Sequence, residues 1–314
     1  MLNIVTLTDA ASGSTASIAP ALGFNCFEFK TQAAGDVVDV LWSHPNFTSG
    51  GERPSGSGIP LLFPFAGRIQ GIQFHYEGRD YPLEPGDAHG NAIHGFVMQR
   101  PWRVVEQSAA RVTGEFHASQ DDPTLLDRWP CDFRIRVSYA LRDGDLISML
   151  RVDNPADRPL PFALATHAYF RLPVGPGGTA AESIITVPVR AQWELADLRP
   201  TGKLLGLGPL EKLPDGMRLG DAVLDNVLTG LKFDDGRCTT RIENPAGRRT
   251  LVQAFDESFR HAVVYTPPHR EAICIEPYTS LPEPLRLEQQ GIQTGFRRLP
   301  PGENFETAIR IGIE

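Results

Sequence analysis

Residues 133–152 read FRIRVSYALRDGDLISMLRV. Apolar side chains occupy every second position of the first half, which is the pattern of a β-strand with one buried face. Asp143 and Gly144 follow, and an Asp-Gly pair between two such runs is a strong signal for a two-residue β-turn. Asn154 and Pro155 end the second run, because proline cannot continue a strand ladder. The stretch therefore predicts an antiparallel hairpin.

The rest of the chain carries more short extended runs. Glycine and proline, 30 and 27 in number, interrupt the sequence often, and no long apolar pattern with a 3.6-residue period lies between them. The further predicted strands cover residues 23–29, 36–42, 111–117, 183–189, 261–266, 272–275 and 305–313. A short helix is predicted over residues 121–129, since Pro123 suits a first helical turn. These signals predict a mainly β protein, built as a sandwich of antiparallel sheets.

The domain organisation is predicted to be simple. We find no internal repeat, low-complexity tract or charged linker, so residues 1–314 are interpreted as a single domain. Residues 50–58 are the densest glycine stretch, and an apolar segment follows them at once. This stretch is predicted to be a loop on the rim of a site.

Composition argues against several classes of function. The formal net charge of −8 gives no basic footprint for nucleic-acid phosphates. No apolar run approaches the length of a membrane span, and the N-terminus lacks the pattern of a signal peptide. The four cysteines are dispersed without a CxxC pair, which indicates reduced, mostly buried thiols. We therefore expect a soluble, cytoplasmic protein with no nucleic-acid or membrane partner.

Two proton-transfer side chains lie inside apolar, aromatic-rich runs. His167 stands in ATHAYFRL at residues 165–172, and Glu276 stands in AICIEP at residues 272–277. A histidine that titrates near neutral pH and a carboxyl whose pKa is raised by burial are suited to paired acid–base catalysis. Glutamate is rarely buried without a partner, so Glu276 is the strongest single candidate. An aromatic run in a strand is also typical of plain core, and that interpretation of the His167 segment stays open.

Three further polar residues are candidates for ligand binding. Arg68 closes the apolar run GIPLLFPFAGRI at residues 58–69, where it could bind a ligand oxygen or pair with a carboxylate. His94 precedes a glycine that permits close backbone approach, and it either contacts a ligand or fills a loop. Asp225 could accept hydrogen bonds from ligand hydroxyls or act as a turn carboxylate. The sequence leaves both interpretations open for each residue.

No sequence motif indicates a metal or a cofactor. The histidines form no HxH or HExxH pattern, and the chain contains no GxSxG elbow, P-loop or GxGxxG fingerprint. The sequence therefore predicts chemistry without a cofactor or a metal.

Five segments, taken in order, resemble the aldose 1-epimerase (galactose mutarotase) family. They read FPFAGRI at 63–69, NAIHGF at 91–96, THAYFRL at 166–172, DNV at 225–227, and VVYTP with AICIEPYT between 263 and 279. Together they run over most of the chain. The resemblance implies an antiparallel β-supersandwich with an open groove for a sugar.

The resemblance also implies a role for each candidate residue. Glu276 would be the general base that removes the proton from the C1 hydroxyl, and His167 the general acid that protonates the ring oxygen. His94 would stabilise charge that develops near the same oxygens, while Arg68 and Asp225 would hold sugar hydroxyls. Opening, rotation and closure of the ring would interconvert the α and β anomers of a free aldohexose without a cofactor.

Two departures from the family pattern leave the substrate open. Thr166 stands where the family usually has an asparagine, and the compressed segment at residues 96–102 looks more like the hexose-6-phosphate 1-epimerase branch. One alternative is a mutarotase for a phosphorylated or other anionic hexose, with Arg100 or another arginine near the pocket mouth neutralising the anion. The other alternative is a non-catalytic carbohydrate-binding protein. We expect a monomer or a homodimer with a small sugar as its partner.

Overall fold

The computed structural model describes residues 2–49 and 52–314, and most of its regular structure consists of short strands. The first nine strands are β1 (Val5–Asp9), β2 (Ser14–Ala19), β3 (Asn25–Ala33), β4 (Asp36–Asp39), β5 (Leu61–Leu62), β6 (Arg68–Ile69), β7 (Gln73–Tyr76), β8 (Arg79–Pro82) and β9 (Ala92–Ile93). The next nine are β10 (Arg103–Gln107), β11 (Arg111–His117), β12 (Arg134–Arg142), β13 (Asp145–Asp153), β14 (Leu160–Phe162), β15 (Ala165–Thr166), β16 (Tyr169–Arg171), β17 (Ile184–Thr186) and β18 (Ala191–Ala196). The remaining nine are β19 (Arg199–Leu205), β20 (Met217–Arg218), β21 (Asp225–Thr229), β22 (Arg237–Asn244), β23 (Arg249–Asp256), β24 (His261–Tyr265), β25 (Ala272–Tyr278), β26 (Arg297–Leu299) and β27 (Asn304–Ile313).

Helical structure is confined to short segments. Within the described residues, the α-helices are α1 (Ala118–Asp121) and α2 (Pro284–Glu288). The 3₁₀ turns cover Phe47–Ser49, Pro54–Gly56, Val97–Gln99, Pro123–Asp127, Ala180–Glu182 and Gly208–Leu210. In this part of the chain no helix is long and apolar enough to cross a membrane.

Two large antiparallel sheets form the body of the fold. One has nine strands in the order β10-β11-β12-β13-β27-β23-β22-β17-β20. The other has eight, in the order β19-β18-β21-β24-β25-β15-β5 with β16 also paired to β25. A four-stranded sheet, β1-β2-β3-β4, and the pairs β14-β26, β6-β9 and β7-β8 complete the set. The mainly β, antiparallel architecture predicted from the sequence is confirmed.

The main hydrophobic core lies between the two large sheets. Ile135 and Val137 of β12 belong to the same buried cluster as Ile273 and Ile275 of β25. The side chain of Gln253, on β23 of the nine-stranded sheet, donates a hydrogen bond to the Ile275 carbonyl at 3.3 Å. One face of β25 is therefore committed to the core, which leaves its opposite face for other contacts.

The hairpin predicted from residues 133–152 is confirmed. β12 and β13 pair along their lengths up to Arg142 and Asp145, so that Asp143 and Gly144 form the turn. Both turn residues have positive φ angles, 54° and 86°. That backbone is what a type I′ turn requires, and it explains the Asp-Gly pair. β27 pairs with the other edge of β13, which places the hairpin inside the nine-stranded sheet.

The other predicted strands occur with ends that differ by a few residues. The predictions at 111–117, 261–266, 272–275 and 305–313 correspond to β11, β24, β25 and β27, and those at 23–29, 36–42 and 183–189 overlap β3, β4 and β17. The helix predicted over residues 121–129 is instead a 3₁₀ turn over Pro123–Asp127 that follows α1. A residue before proline avoids the helical region, and Asp122 has φ −152° and ψ 81°, so α1 cannot continue through it.

Candidate active site

The floor of a cleft is formed by the face of β25 that points away from the core. Side chains alternate along a strand, so Cys274, Glu276 and Tyr278 share the face opposite to Ile273 and Ile275. Glu276 and Tyr278 line a cleft of about 380 Å³. The Glu276 side chain is only 1% exposed. A carboxyl is thus held at the bottom of an otherwise open cavity.

His167 lies opposite Glu276 because of strand register. β15 pairs with β25 through Tyr278, and β16 pairs with β25 through Cys274. His167 is midway between these two pairs, so the position it faces on β25 is Glu276. The backbone N–H of His167 donates to the carbonyl of Pro60 at 2.9 Å, and this hydrogen bond holds the backbone between β15 and β16 in place. The His167 Nε2 atom lies 3.2 Å from Oε1 of Glu276.

The other three candidate residues line the same cleft. Arg68 on β6 is paired with the last residue of β9, so His94 comes next to it in space. Asp225 begins β21, which runs beside β24 and reaches the cleft at Tyr265. The structure therefore brings together all five residues singled out in the sequence, although they are spread over more than two hundred positions.

His94 is held as a neutral imidazole with a defined tautomer. The backbone N–H of Gly67 donates to its Nδ1 atom at 3.3 Å, which leaves the proton on Nε2. Burial lowers the pKa of His94 well below its ordinary value, and the neighbouring His167 acts in the same direction. The two imidazole rings meet edge to face, with centroids 5.6 Å apart. His94 can therefore donate a hydrogen bond without carrying a charge.

The close approach predicted beside His94 is present at Gly95. His94 and Gly95 have φ angles of 66° and 73°. A Cβ atom at residue 95 would lie 2.1 Å from the carbonyl oxygen of Phe63, which is far inside contact distance. Only glycine fits this position, so Gly95 lets the backbone beside His94 lie against the Phe63 carbonyl.

Arg68 is oriented by a carboxylate that sequence reasoning missed. Its Nε atom donates to Oδ2 of Asp87 at 2.9 Å, and both residues line the cleft. Asp87 also accepts hydrogen bonds from the backbone N–H groups of His89 and Asn91 and from the Asn91 side chain. Although burial opposes it, these bonds and the one from Arg68 lower the pKa of Asp87 to about 2. The two interpretations of Arg68, ligand contact and carboxylate pairing, are thus compatible.

Burial favours the neutral forms of both catalytic candidates. It raises the pKa of Glu276 well above the ordinary value of a glutamate, against a hydrogen bond from Tyr278 that lowers it. It lowers the pKa of His167 to about 4. The hydroxyl of Tyr278 donates to Oε2 of Glu276 at 3.1 Å, whereas Oε1 accepts no aligned hydrogen bond from any described residue. Oε1 is therefore available to a ligand.

The rim of the cleft includes the glycine-rich stretch. Gly50 and Gly51 lie outside the described residues, but Arg53 and Ser55 line the cleft. The hydroxyl of Tyr169, whose ring stacks on His167 with centroids 4.8 Å apart, donates to the Ser55 carbonyl at 3.0 Å. The part of the stretch that the structure describes therefore reaches the site, as predicted.

Arg100 does not occupy the position suggested for it. Its Nε atom donates to Asp122 at 3.0 Å, its Nη2 atom lies 3.8 Å from Glu84, and the residue does not line the cleft. Arg53 and Arg68 are the arginines among the described residues that line the cleft, and Arg53 is exposed.

Comparisons with known protein families and solved structures agree on one family and one fold. The family model described as aldose 1-epimerase matches residues 4–312. A galactose mutarotase-like protein from Clostridium acetobutylicum is 22% identical, with a TM-score of 0.85 over 100% of this chain and 98% of that one. The GalM/aldose epimerase homologue from Caenorhabditis elegans is 20% identical, with a TM-score of 0.80 over 100% and 99%. These likenesses confirm the galactose mutarotase-like fold.

A curated relative matches over a shorter stretch. The uncharacterized protein YphB of Escherichia coli K12 is 28% identical over 153 residues, or 44% of this chain. The match covers 47% of that protein, so it spans about half of its length.

Proposed function

This chain belongs to the aldose 1-epimerase family, and on that premise we propose that it interconverts the α and β anomers of a free aldohexose. Ring opening requires one proton to leave the C1 hydroxyl and another to arrive at the ring oxygen. The observation that carries the proposal is the 3.2 Å separation of His167 Nε2 and Glu276 Oε1 at the floor of the cleft. C1 and the ring oxygen are bonded neighbours, so one acid and one base at this spacing can serve both oxygens.

The two groups share a single proton in either working state. Glu276 as a carboxylate with His167 as an imidazolium holds one proton, and so does the carboxylic acid with the neutral imidazole. Ring opening converts the first arrangement into the second, because Glu276 gains the C1 proton while His167 gives one up. Burial favours the second arrangement, through the raised pKa of Glu276 and the lowered pKa of His167. The site therefore favours the protonation state that accompanies the open-chain aldehyde.

The remaining residues hold the sugar and the developing charge. His94 donates from Nε2 towards the reacting oxygens as a neutral group. Arg68, oriented by Asp87, binds one sugar hydroxyl, and Asp225 accepts a hydrogen bond from another. After the C1–C2 bond rotates, the steps run in reverse, and the ring closes on the other face of the aldehyde. Acid–base assistance of this kind contributes about 10²–10⁴-fold per group.

The cleft has the size and lining of a site for a small ligand. Its volume of about 380 Å³ lies near the lower end of the range of roughly 300–1,000 Å³ for such pockets. Val227, Val263 and Leu195 supply apolar surface beside the polar groups. A hexose presents hydroxyls at its edge and C–H groups on its faces, so both kinds of surface find partners.

A specific observation favours a second candidate, a phosphorylated or otherwise anionic hexose. Arg53 is exposed and lines the cleft mouth. A guanidinium at that place would bind the anion while the hemiacetal reaches the acid–base pair. Both candidates use the same chemistry and differ only in the contact at the mouth.

The test is polarimetry on freshly dissolved α-D-glucose and α-D-galactose, with anomer-resolved NMR on glucose 6-phosphate. We expect faster mutarotation of a free sugar, and Arg53→Ala should leave that rate unchanged. Acceleration confined to the phosphosugar, and lost in Arg53→Ala, would establish the anionic substrate instead. Binding of these sugars without acceleration of any of them would indicate a carbohydrate-binding protein and overturn the enzymatic proposal.

A further inference from the structure

A buried thiol lies beside the proposed acid–base pair and has no part in the proposed proton transfers. Cys274 precedes Glu276 by two positions on β25, so its side chain lies on the same face of the strand. Ligand atoms of His167, Cys274 and Glu276 all lie within 4.8 Å of one another. Sequence patterns gave no hint of this group, because His167 comes from another segment of the chain.

We propose that His167, Cys274 and Glu276 form a binding site for a thiophilic divalent cation such as Zn²⁺ or Cd²⁺. One imidazole nitrogen, one thiolate and one carboxylate oxygen make a mixed ligand set of the kind Zn²⁺ accepts. A thiolate selects soft cations over Mg²⁺ and Ca²⁺, which take oxygen ligands. His167 and Glu276 line the cleft, through which the cation would enter.

The distances are compatible with tetrahedral coordination. Metal–ligand bonds of about 2.0–2.3 Å hold neighbouring ligand atoms roughly 3.3–3.8 Å apart. His167 Nε2 and Glu276 Oε1 are already 3.2 Å apart. The largest separation in the group is at most 4.8 Å, so coordination requires it to close by about 1 Å.

An unsatisfied buried atom gives a second indication of a ligand. Oε1 of Glu276 is buried and accepts no hydrogen bond from any described residue. The Glu276 side chain is 1% exposed, and Oε1 is directed at His167. A buried polar atom of this kind is expected to have a partner, and a bound cation supplies one.

The surrounding charges favour a cation over an anion. Asp225 lines the same cleft and adds a second carboxylate to it. The positive charge of Arg68 is largely offset by its pairing with Asp87 at 2.9 Å. On binding, the Cys274 thiol and the Glu276 carboxyl lose their protons to solvent, and the imidazole coordinates in its neutral form. The cation then balances the two negative ligands.

Occupation of this site has a consequence for the proposed function. The cation would lie between Nε2 and Oε1, where the C1 hydroxyl and the ring oxygen have to bind. It would therefore inhibit mutarotation in competition with the sugar. This inhibition rests on the proposed function, whereas cation binding itself does not.

Binding is tested first, without any sugar. Apo protein, freed of metal with a chelator, is titrated with Cd²⁺ while the ultraviolet charge-transfer band of a Cd²⁺–thiolate bond is recorded. We expect the band to saturate at one ion per chain and to disappear in Cys274→Ala. Cys131→Ala is the matched control, because at 7% exposure Cys131 is the most accessible of the four cysteines. A band that persists in Cys274→Ala, or that is lost in Cys131→Ala, would overturn the proposal.

Inhibition is tested second, on whichever sugar the protein turns over. Cys274→Ala should retain mutarotation in the absence of metal and should need more than about tenfold more Zn²⁺ for half-inhibition. Cys274→Ser, which keeps the side-chain volume, serves as a second variant if the alanine variant folds poorly. Equal inhibition of wild type and both variants would contradict the site. If the wild type accelerates no sugar, the Cd²⁺ band still decides the question.

Discussion

Tyr278 donates a hydrogen bond from its hydroxyl to Oε2 of Glu276 at 3.1 Å, so the two carboxyl oxygens have different partners. Oε2 is held by the protein, and Oε1 is left facing His167 at 3.2 Å. Because Tyr278 and Glu276 are two positions apart on β25, the strand itself sets the contact. The hydrogen bond thereby orients the proposed base and, against burial, favours its carboxylate form.

Tyr278→Phe should shift the pH dependence of catalysis. Burial raises the pKa of Glu276, and the Tyr278 hydrogen bond lowers it, so loss of the hydroxyl should raise that pKa further. The acidic limb of the profile of kcat/KM against pH should then move to higher pH. Tyr81→Phe is the control, since Tyr81 is buried but does not line the cleft. An unmoved acidic limb in Tyr278→Phe would show that this hydrogen bond does not tune the base.

Glu276→Gln should abolish most of the mutarotase activity and yet stabilise the fold. In the folded protein the raised pKa keeps a proton on Glu276 that the unfolded chain has lost above pH 4.5. The free energy of unfolding therefore falls as pH rises from the unfolded to the folded pKa, and glutamine removes that loss. Activity should drop about 10²–10⁴-fold. Denaturant unfolding at neutral pH checks the stability, with the exposed Glu257→Gln as control.

His167→Asn should be nearly as damaging to activity, and it should also change stability in acid. Burial lowers the pKa of His167 from 6.5 to about 4, so between these values only the unfolded chain takes up the proton. The free energy of unfolding therefore falls as pH falls through this window. In the variant this fall should be smaller. His261, whose pKa burial also lowers to about 4, lies outside the cleft. His261→Asn should flatten the same window without loss of mutarotation.

The sequence located the proposed acid–base pair better than it located the residues that support this pair. His167 and Glu276 stand out because a polar residue inside an apolar strand can be recognised from the sequence alone. Asp87, Tyr278 and Cys274 do not, since each matters only through a neighbour from another segment or through the face of the strand it occupies. Local rules likewise predicted the Asp-Gly hairpin, whose turn depends on two adjacent residues.

Asp87→Asn should weaken sugar binding more than it slows the chemical step. The change keeps the shape of the side chain but removes the charge that orients Arg68. KM should rise by roughly tenfold, since a hydrogen bond between charged groups contributes about 1.5–3 kcal/mol. Asp80→Asn is the control, because Asp80 is exposed and its carboxylate pairs with the exposed His75. A fall in kcat with unchanged KM would instead mean that Arg68 acts in the transition state alone.

Gly95→Ala should destabilise the protein and displace His94. Comparison with Gly90→Ala distinguishes the effect of backbone strain from that of the steric clash. Both glycines have a positive φ, 73° and 77°. A Cβ at residue 95 meets the Phe63 carbonyl oxygen at 2.1 Å, whereas nothing lies within 4 Å of one at residue 90. Gly90→Ala should therefore cost about 1–2 kcal/mol from backbone strain alone. Gly95→Ala should cost clearly more and should also lower kcat, because the clash moves the backbone of the neighbouring His94. Similar unfolding free energies for the two variants would show that the Phe63 contact relaxes without strain.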